Sequence, residues 1–367
     1  MRKTAFYVSD HGFGHASRSI EIIRQLLTRD KDVEVIVNTS APLDFIKNSL
    51  KEYESRVIYR KVKNDIGLIL KPESLYPDVN EMQSEVTRWV QRWDSIVTDE
   101  VDYYKGNPVH LIISDITPHA FLITNRLDIP SIGISNFTWY TMYSQFIPSD
   151  ALCEFKRAYE HMDYFFSLAF HNETEILFQN QCDFGVYARQ INKEEVKRIR
   201  ALLPDNTFLI HIGIGKSVDF KYLEKLKFSS NSKLFFLVSS GSDIEGGNII
   251  KIPQEYCETQ NYIAACDLVI TKAGWSTIAE CLLAQVPFIV LEREMLPEDR
   301  NTVDALKSLP VCAVKTISEL ENMDFNIESM EQYIDMKRYY KQIDRFYKEN
   351  CSGAIADKVL EILGESI

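Results

Sequence analysis

The sequence contains no run of about 18 apolar residues, the length a helix needs to cross a bilayer. Its N-terminus offers Arg2 and Lys3, then only residues 5–9 before Asp10, too short a stretch for a signal peptide. The seven cysteines (153, 182, 257, 266, 281, 312 and 351) include no C-x-x-C pair, are odd in number and fall partly in apolar runs. That pattern argues against zinc and a disulfide framework and predicts free thiols in a reducing compartment, with the cytoplasm as the expected location. Positive charge is in deficit, the net charge being −12. That argues against a general basic surface for nucleic acid or acidic membranes; no nucleic-acid partner is expected, and an anionic ligand needs a local cationic site. No internal repeat or low-complexity tract is present. D-x-D occurs literally once, Asp30-Lys-Asp32, between a predicted helix and strand, where a surface turn accounts for it; no metal is expected.

What is present is enough apolar material, 45% of 367 residues, for two cores. Apolar runs at 4–8, 33–37, 57–59, 66–70, 109–113, 130–134 and 163–168 read as strands, the last closing the first half. Residues 79–104 read as one helix, with Trp89 and Trp93 on its core side. A charged stretch, 188–206, then separates a second series of strands at 207–212, 234–238, 249–252, 268–270 and 288–291, and residues 328–364 read as helical. Alternating strands and helices predict an α/β fold with parallel sheets, in two domains of residues 1–187 and 188–351.

Residues 268–291 form the most informative stretch: an apolar strand, a break at Gly274, helical spacing at Ile278 and Leu282, and a second apolar strand. In a parallel sheet that break lies at the carboxyl end of a strand, where the next helix aims its unpaired N–H groups at a ligand. Lys272, Ser276, Thr277 and Glu280 surround it. A helix dipole contributes about 0.3–1 kcal/mol, whereas micromolar to millimolar binding needs roughly 4–8 kcal/mol, so phosphate contacts cannot be the whole site. Glu280 suits the vicinal hydroxyls of a ribose. Thr277 and Glu280 equally make a T-x-x-E capping box, which taken alone is the simpler reading.

A second glycine turn, Ser9-Asp-His-Gly-Phe-Gly-His-Ala-Ser17, follows the first strand. Gly12 and Gly14 permit a sharp turn and close approach to a ligand. His15 opens the next helix, whose dipole favours the neutral ring, able to accept a proton. It fits equally a helix-start histidine bonded to its own turn. Asp115 ends another strand on the same rim, either as partner to His15 or as N-cap of the helix opened by Pro118. Gly213-Ile-Gly-Lys-Ser217 lacks the first glycine of a Walker A loop, Ile210 standing there. Lys216 and Ser217 are candidates for phosphate contacts or a plain solvent loop. The aromatic segment 136–147 fits an acceptor pocket, a peripheral membrane contact or core.

The stretch T-K-A-G-W-S-T-I-A-E followed by Q-V-P resembles the donor-binding signature of UDP-glycosyltransferases of the GT-B fold, including the peptidoglycan lipid glycosyltransferase. H-G-x-G-H at 11–15 is similar to the first loop of the plant-type enzymes. The resemblance implies two Rossmann-like domains about a cleft, with a tail, 352–367, packing back on the first. It implies a nucleotide-diphosphate sugar as co-substrate rather than a cofactor, transferred with inversion to an acceptor hydroxyl on a small molecule, glycan or lipid-linked sugar. His15 takes the general-base position, oriented by Asp115, while His11 shapes the loop. Ser276 and Thr277 take the phosphate-contacting positions, where Lys272 can also meet a phosphate; Ala273, Gly274 and Trp275 belong to the same donor-binding stretch, Glu280 takes the ribose, and Glu298, Asp299 or Asn301 the donor sugar. Two departures stand out: Lys272 replaces a histidine and Gln285 a glycine. A sugar-nucleotide hydrolase and a non-catalytic sugar-nucleotide sensor share the same donor signature.

Overall fold

A computed structural model describes residues 2–71, 77–171, 173–213, 233–242, 245–292 and 297–365. The chain divides into a first unit of residues 1–70, 77–185 and 350–367 and a second whose body is residues 186–349.

The first unit is built on seven parallel strands in the order β3-β2-β1-β4-β5-β6-β7. They are β1 (Arg2–Val8), β2 (Val33–Thr39), β3 (Val57–Lys61), β4 (Leu111–Asp115), β5 (Ser131–Ser135), β6 (Tyr164–Leu168) and β7 (Asn180–Phe184). Every residue of β4 and β5 is buried, as expected of strands covered by helices on both faces. The longest of those helices, α1 (Gly12–Arg29), packs against the C-terminal helix Ser352–Glu365, where Ser352 Oγ donates to the buried Glu21 Oε1 at 3.0 Å. The second unit has six parallel strands in the order β10-β9-β8-β11-β12-β13. These are β8 (Phe208–Gly213), β9 (Leu234–Val238), β10 (Ile249–Lys251), β11 (Leu268–Lys272), β12 (Phe288–Leu291) and β13 (Cys312–Lys315). In each sheet the order reverses beside the first strand, the arrangement in which α/β sheets open a crevice at their carboxyl ends. Among the described residues no helix is long and apolar enough to cross a membrane.

Three expectations need correcting. Residues 66–70 form no strand; Gly67 adopts φ +69° and only Leu70 pairs, in an isolated bridge to Pro77. Residues 79–104 form two helices, Val79–Gln91 and Trp93–Gly106, because Arg92 N bonds back to Trp89 O at 3.0 Å and tightens the turn. The last strand of the first sheet is β7, whose Asn-Gln-Cys-Asp-Phe sequence sits largely exposed at the sheet edge and lacks the apolar run of its neighbours.

The exit from β4 is strained. Ile116 adopts φ +70°, a left-handed conformation that costs a β-branched residue about 1–3 kcal/mol. Tyr159 holds it there: its buried hydroxyl donates to Ile116 O at 2.6 Å and accepts from Trp139 N at 3.1 Å. Tyr159→Phe leaves both backbone groups buried without that partner. A loss of roughly 2–4 kcal/mol in urea unfolding is expected, and a change below about 0.5 kcal/mol would show that the turn does not depend on it.

Trp89 and Trp93 are core residues, and both rings pack against His119, at 5.7 and 6.3 Å between centroids. His119 is fully enclosed, neither ring nitrogen has a hydrogen-bond partner, and burial pushes its pKa down to about 4. In the second unit burial likewise pushes His211 down to about 4, although its Nδ1 lies 3.1 Å from Leu237 O. Both are neutral when folded and take up a proton on unfolding below about pH 6.5. Their stabilisation is therefore complete above that pH and is lost as pH falls towards 4, by up to roughly 3 kcal/mol each. His119→Phe should flatten the decline of the urea midpoint over this range. An unchanged decline would locate the acid sensitivity in other groups.

Candidate active site

At the reversal point of the first sheet, β1 and β4 lie side by side, with Val8 opposite Asp115. The chain leaves β1 through Ser9 and Asp10 and enters α1 with His11 as N-cap and Gly12 at φ +75°, a conformation strained for any residue with a Cβ. Gly12, Phe13 and Gly14 are exposed, and His15, in the first turn, is buried. His15 Nδ1 stands 2.9 Å from Asp115 Oδ1.

Asp115 does not cap the following helix, which runs His119–Leu127 with Pro118 at its N-cap. Its carboxylate instead receives Arg18 in a fork, Nη2 to Oδ1 at 2.5 Å and Nε to Oδ2 at 2.8 Å, and Ser19 Oγ to Oδ2 at 3.2 Å. Arg18 also donates to Asn136 Oδ1 at 2.9 Å and Ser135 Oγ at 3.2 Å, and its Nη2 lies 3.1 Å from His15 Nδ1. Burial raises the Asp115 carboxyl, but the Arg18 guanidinium and the His15 ring outweigh burial and hold it well below the usual carboxylate range. Arg18 was not singled out in the sequence. The available signal was its position one turn after His15, on the same helix face.

Three further groups brace this rim. Asp10 accepts from Thr39 Oγ1, Ser40 N, Ala41 N and Asn64 N at 2.6–3.0 Å, tying the ends of β1 and β2 to the chain after β3. His11 packs over Gly67, where a Cβ would collide with its Nδ1, and lies edge-on to Trp139 at 5.6 Å. Phe137, Trp139, Met142, Tyr143 and Ile147 are buried, so the aromatic segment is core, with the Phe137 ring 5.9 Å from that of His15.

At the reversal point of the second sheet, β8 ends at Gly213 opposite Thr271 of β11, and Thr271 Oγ1 donates to Gly213 O at 3.1 Å. Lys272 ends β11, half-buried, its aliphatic stem beside Gly274. The helix Trp275–Ala284 follows, with Gly274 as N-cap and no side-chain cap bond, so the Thr277–Glu280 capping box does not form. The first intrahelical bond is Ile278 N to Gly274 O, which leaves the amides of Trp275, Ser276 and Thr277 ahead of the ladder. Ser276 and Thr277 are half-buried. Ala273 and Trp275 are buried, the Trp275 ring meeting Tyr187 edge-on at 5.4 Å.

Glu280 is buried and pairs at 3.6 Å with Arg189, which the sequence reading missed. Arg189 donates to Cys257 O at 2.5 Å and Thr259 Oγ1 at 3.2 Å. Gln285 ends the helix at φ +55°, the left-handed position where a glycine costs less, which explains the glycine in the related signature. Asp299 is buried and Asn301 half-buried on the helix Pro297–Leu306. Lys216, Ser217 and the Glu298 side chain lie outside the described residues.

Residues 190–305 match the glycosyltransferase family 28 C-terminal domain. The chain is 26% identical over 307 residues to L-arabinokinase from Arabidopsis thaliana, an alignment covering 80% of this chain and 28% of that protein. The chain thus spans well under a third of that relative's length. Among solved structures, UGT89C1 of Arabidopsis thaliana superposes with a TM-score of 0.66 at 12% identity, covering 98% of this chain and 99% of that one. The glycosyltransferase SnogD from Streptomyces nogalater gives 0.65 at 12% identity, covering 99% and 100%. UGT89C1 has also been solved with UDP and with UDP-L-rhamnose. The second unit thus carries a match to the glycosyltransferase family 28 C-terminal domain, and the chain as a whole has the fold of these GT-B glycosyltransferase structures.

Proposed function

We propose that the protein transfers a sugar from a nucleotide-diphosphate sugar to an acceptor hydroxyl, with inversion, without a metal, and in the cytoplasm. The observation that carries this reading is His15 with Nδ1 turned to the Asp115 carboxylate. A ring that donates Nδ1–H to a carboxylate presents Nε2 as a base. Nε2 takes the acceptor proton as the hydroxyl oxygen bonds to the anomeric carbon and the bond from that carbon to the diphosphate breaks. A single displacement inverts the configuration. A positioned base typically contributes about 100- to 10,000-fold.

The departing diphosphate gathers negative charge. Lys272, the Ser276 and Thr277 hydroxyls and the first amides of their helix supply a local positive end for it. Glu280, steadied by Arg189, accepts from the ribose hydroxyls. Asn301, half-buried, is better placed than the buried Asp299 to meet the donor sugar. Lys216, Ser217 and Glu298 remain proposed donor contacts. UDP is the expected carrier because UGT89C1, which shares the fold, is solved with UDP and UDP-L-rhamnose.

One observation favours a second reading. The curated relative is named for a kinase activity, and the aligned part makes up 28% of it, which suits a sugar-nucleotide sensor that binds without turnover. Thermal shift with a panel of nucleoside diphosphates, with and without chelator, followed by assays of nucleotide release, separates the possibilities. Release only with acceptor marks a transferase, release in water alone a hydrolase, and stabilisation without release a sensor. No stabilisation by any nucleotide would sink all three. His15→Ala should cut turnover by about 100-fold or more while nucleotide affinity stays within about twofold. Glu280→Gln, which spares Arg189 the loss of its whole partner, should weaken nucleotide binding roughly tenfold. Near-normal turnover in His15→Ala would place the base elsewhere.

A further inference from the structure

An imidazolium formed on His15 meets Asp115 at 2.9 Å, yet Asp115 does not face it as a whole charge, because Arg18 grips both carboxylate oxygens. The pair is buried on both sides, with side-chain exposures of 2% for Arg18 and 5% for Asp115, so little water screens one from the other. Arg18 Nη2 carries two hydrogens, and Asp115 Oδ1 and Ser135 Oγ accept them at 2.5 and 3.2 Å. His15 Nδ1 is left to donate to the carboxylate, the tautomer that exposes Nε2. The guanidinium, 3.1 Å from the ring, repels an imidazolium.

We propose that Arg18 is a positioning residue that offsets the charge of Asp115, so that the carboxylate serves to fix the tautomer and orientation of His15. Its catalytic meaning rests on His15 acting as the base; its electrostatic content does not. Among the described residues Asp65, after β3, also interacts with the ring, and Asp10, at the end of β1, lies close to Asp65. Asp10 is committed to four donors. Asp65 is buried, neither oxygen closes a hydrogen bond of normal geometry, and burial pushes it up to about 6. From the end of β5 come the uncharged Ser135, Asn136 and Phe137.

The test is a charge cycle read by NMR titration of the full-length protein labelled with 15N-histidine, which reports the His15 tautomer and midpoint without turnover. Arg18→Met should raise the midpoint by roughly 1–2 pH units, because Asp115 is then uncompensated. Asp115→Asn should lower it and mix the tautomers. The double variant Arg18→Met/Asp115→Asn should return to within about half a unit of wild type, since the pair is neutral in both. Repeating the cycle on Asp65→Asn removes a nearby carboxyl that titrates in the histidine range. If Arg18→Met fails to fold, the double variant, with no unpaired buried charge, carries the test. A midpoint as low as that of Asp115→Asn alone, or no rise in a folded Arg18→Met, overturns the proposal. Full turnover in His15→Ala would instead remove the proposed reaction and leave the titration result standing.

Discussion

A parallel sheet whose strand order reverses beside its first strand leaves a crevice at that point, because the flanking connections depart to opposite faces. Both sheets of this protein have that order, and each candidate cluster stands at the carboxyl ends of its two central strands. His15 and Asp115 follow β1 and β4; Gly213 and Lys272 end β8 and β11. The chemistry sits there because strand ends are the places where a covered sheet exposes backbone and side chain together. Loops at these points are held by the sheet and need little length of their own.

The first crevice is stiffened by carboxylates used in different ways. Asp10 spends its oxygens on backbone and hydroxyl donors from two other chain segments, which fixes the loop that delivers His11 and His15. Asp115 is matched to a guanidinium, and Asp65 is left with burial as its dominant influence. A buried carboxylate without partners is costly, whereas one with a bidentate arginine is tolerable and rigid. In the second unit a lone arginine, Arg189, gathers Glu280, Glu258 and the chain near Thr259 around one planar group. Both units thus hold an acidic side chain in place with a buried arginine.

The architecture was legible where a single physical signal dominates. Fully covered parallel strands are apolar runs, so β1, β2, β4, β5, β8, β9, β11 and β12 stand out, and the glycine turns mark where they end. Legibility failed where the determinant is distant or local geometry is unusual. β7 is polar because it is an edge. The break at Arg92 depends on one tightened backbone bond, and the left-handed Ile116 follows from Tyr159, 43 residues away. The pairing of Arg18 with Asp115 spans 97 residues and has no local pattern, although each residue lies within a stretch that attracted attention. The capping box at Thr277 was a sound inference from local rules, displaced because the helix is capped three residues earlier, at Gly274.

The first unit is not a continuous piece of chain: it is left after Gly185 and completed by residues 350–367. Val186 N donates to Phe346 O at 3.3 Å, so the second unit begins and ends beside itself. In the first unit the Cys351 thiol lies against the backbone of Gly185, so the cut ends there also adjoin. Topologically the body of the second unit, residues 186–349, is an insertion in the sequence of the first. A genetic split at 185 alone would strand the apolar face of α1 that the C-terminal helix covers, whereas joining 185 directly to 350 would preserve it. At this seam the ends of each unit therefore meet, although the first unit is assembled from stretches of sequence that lie far apart in the gene.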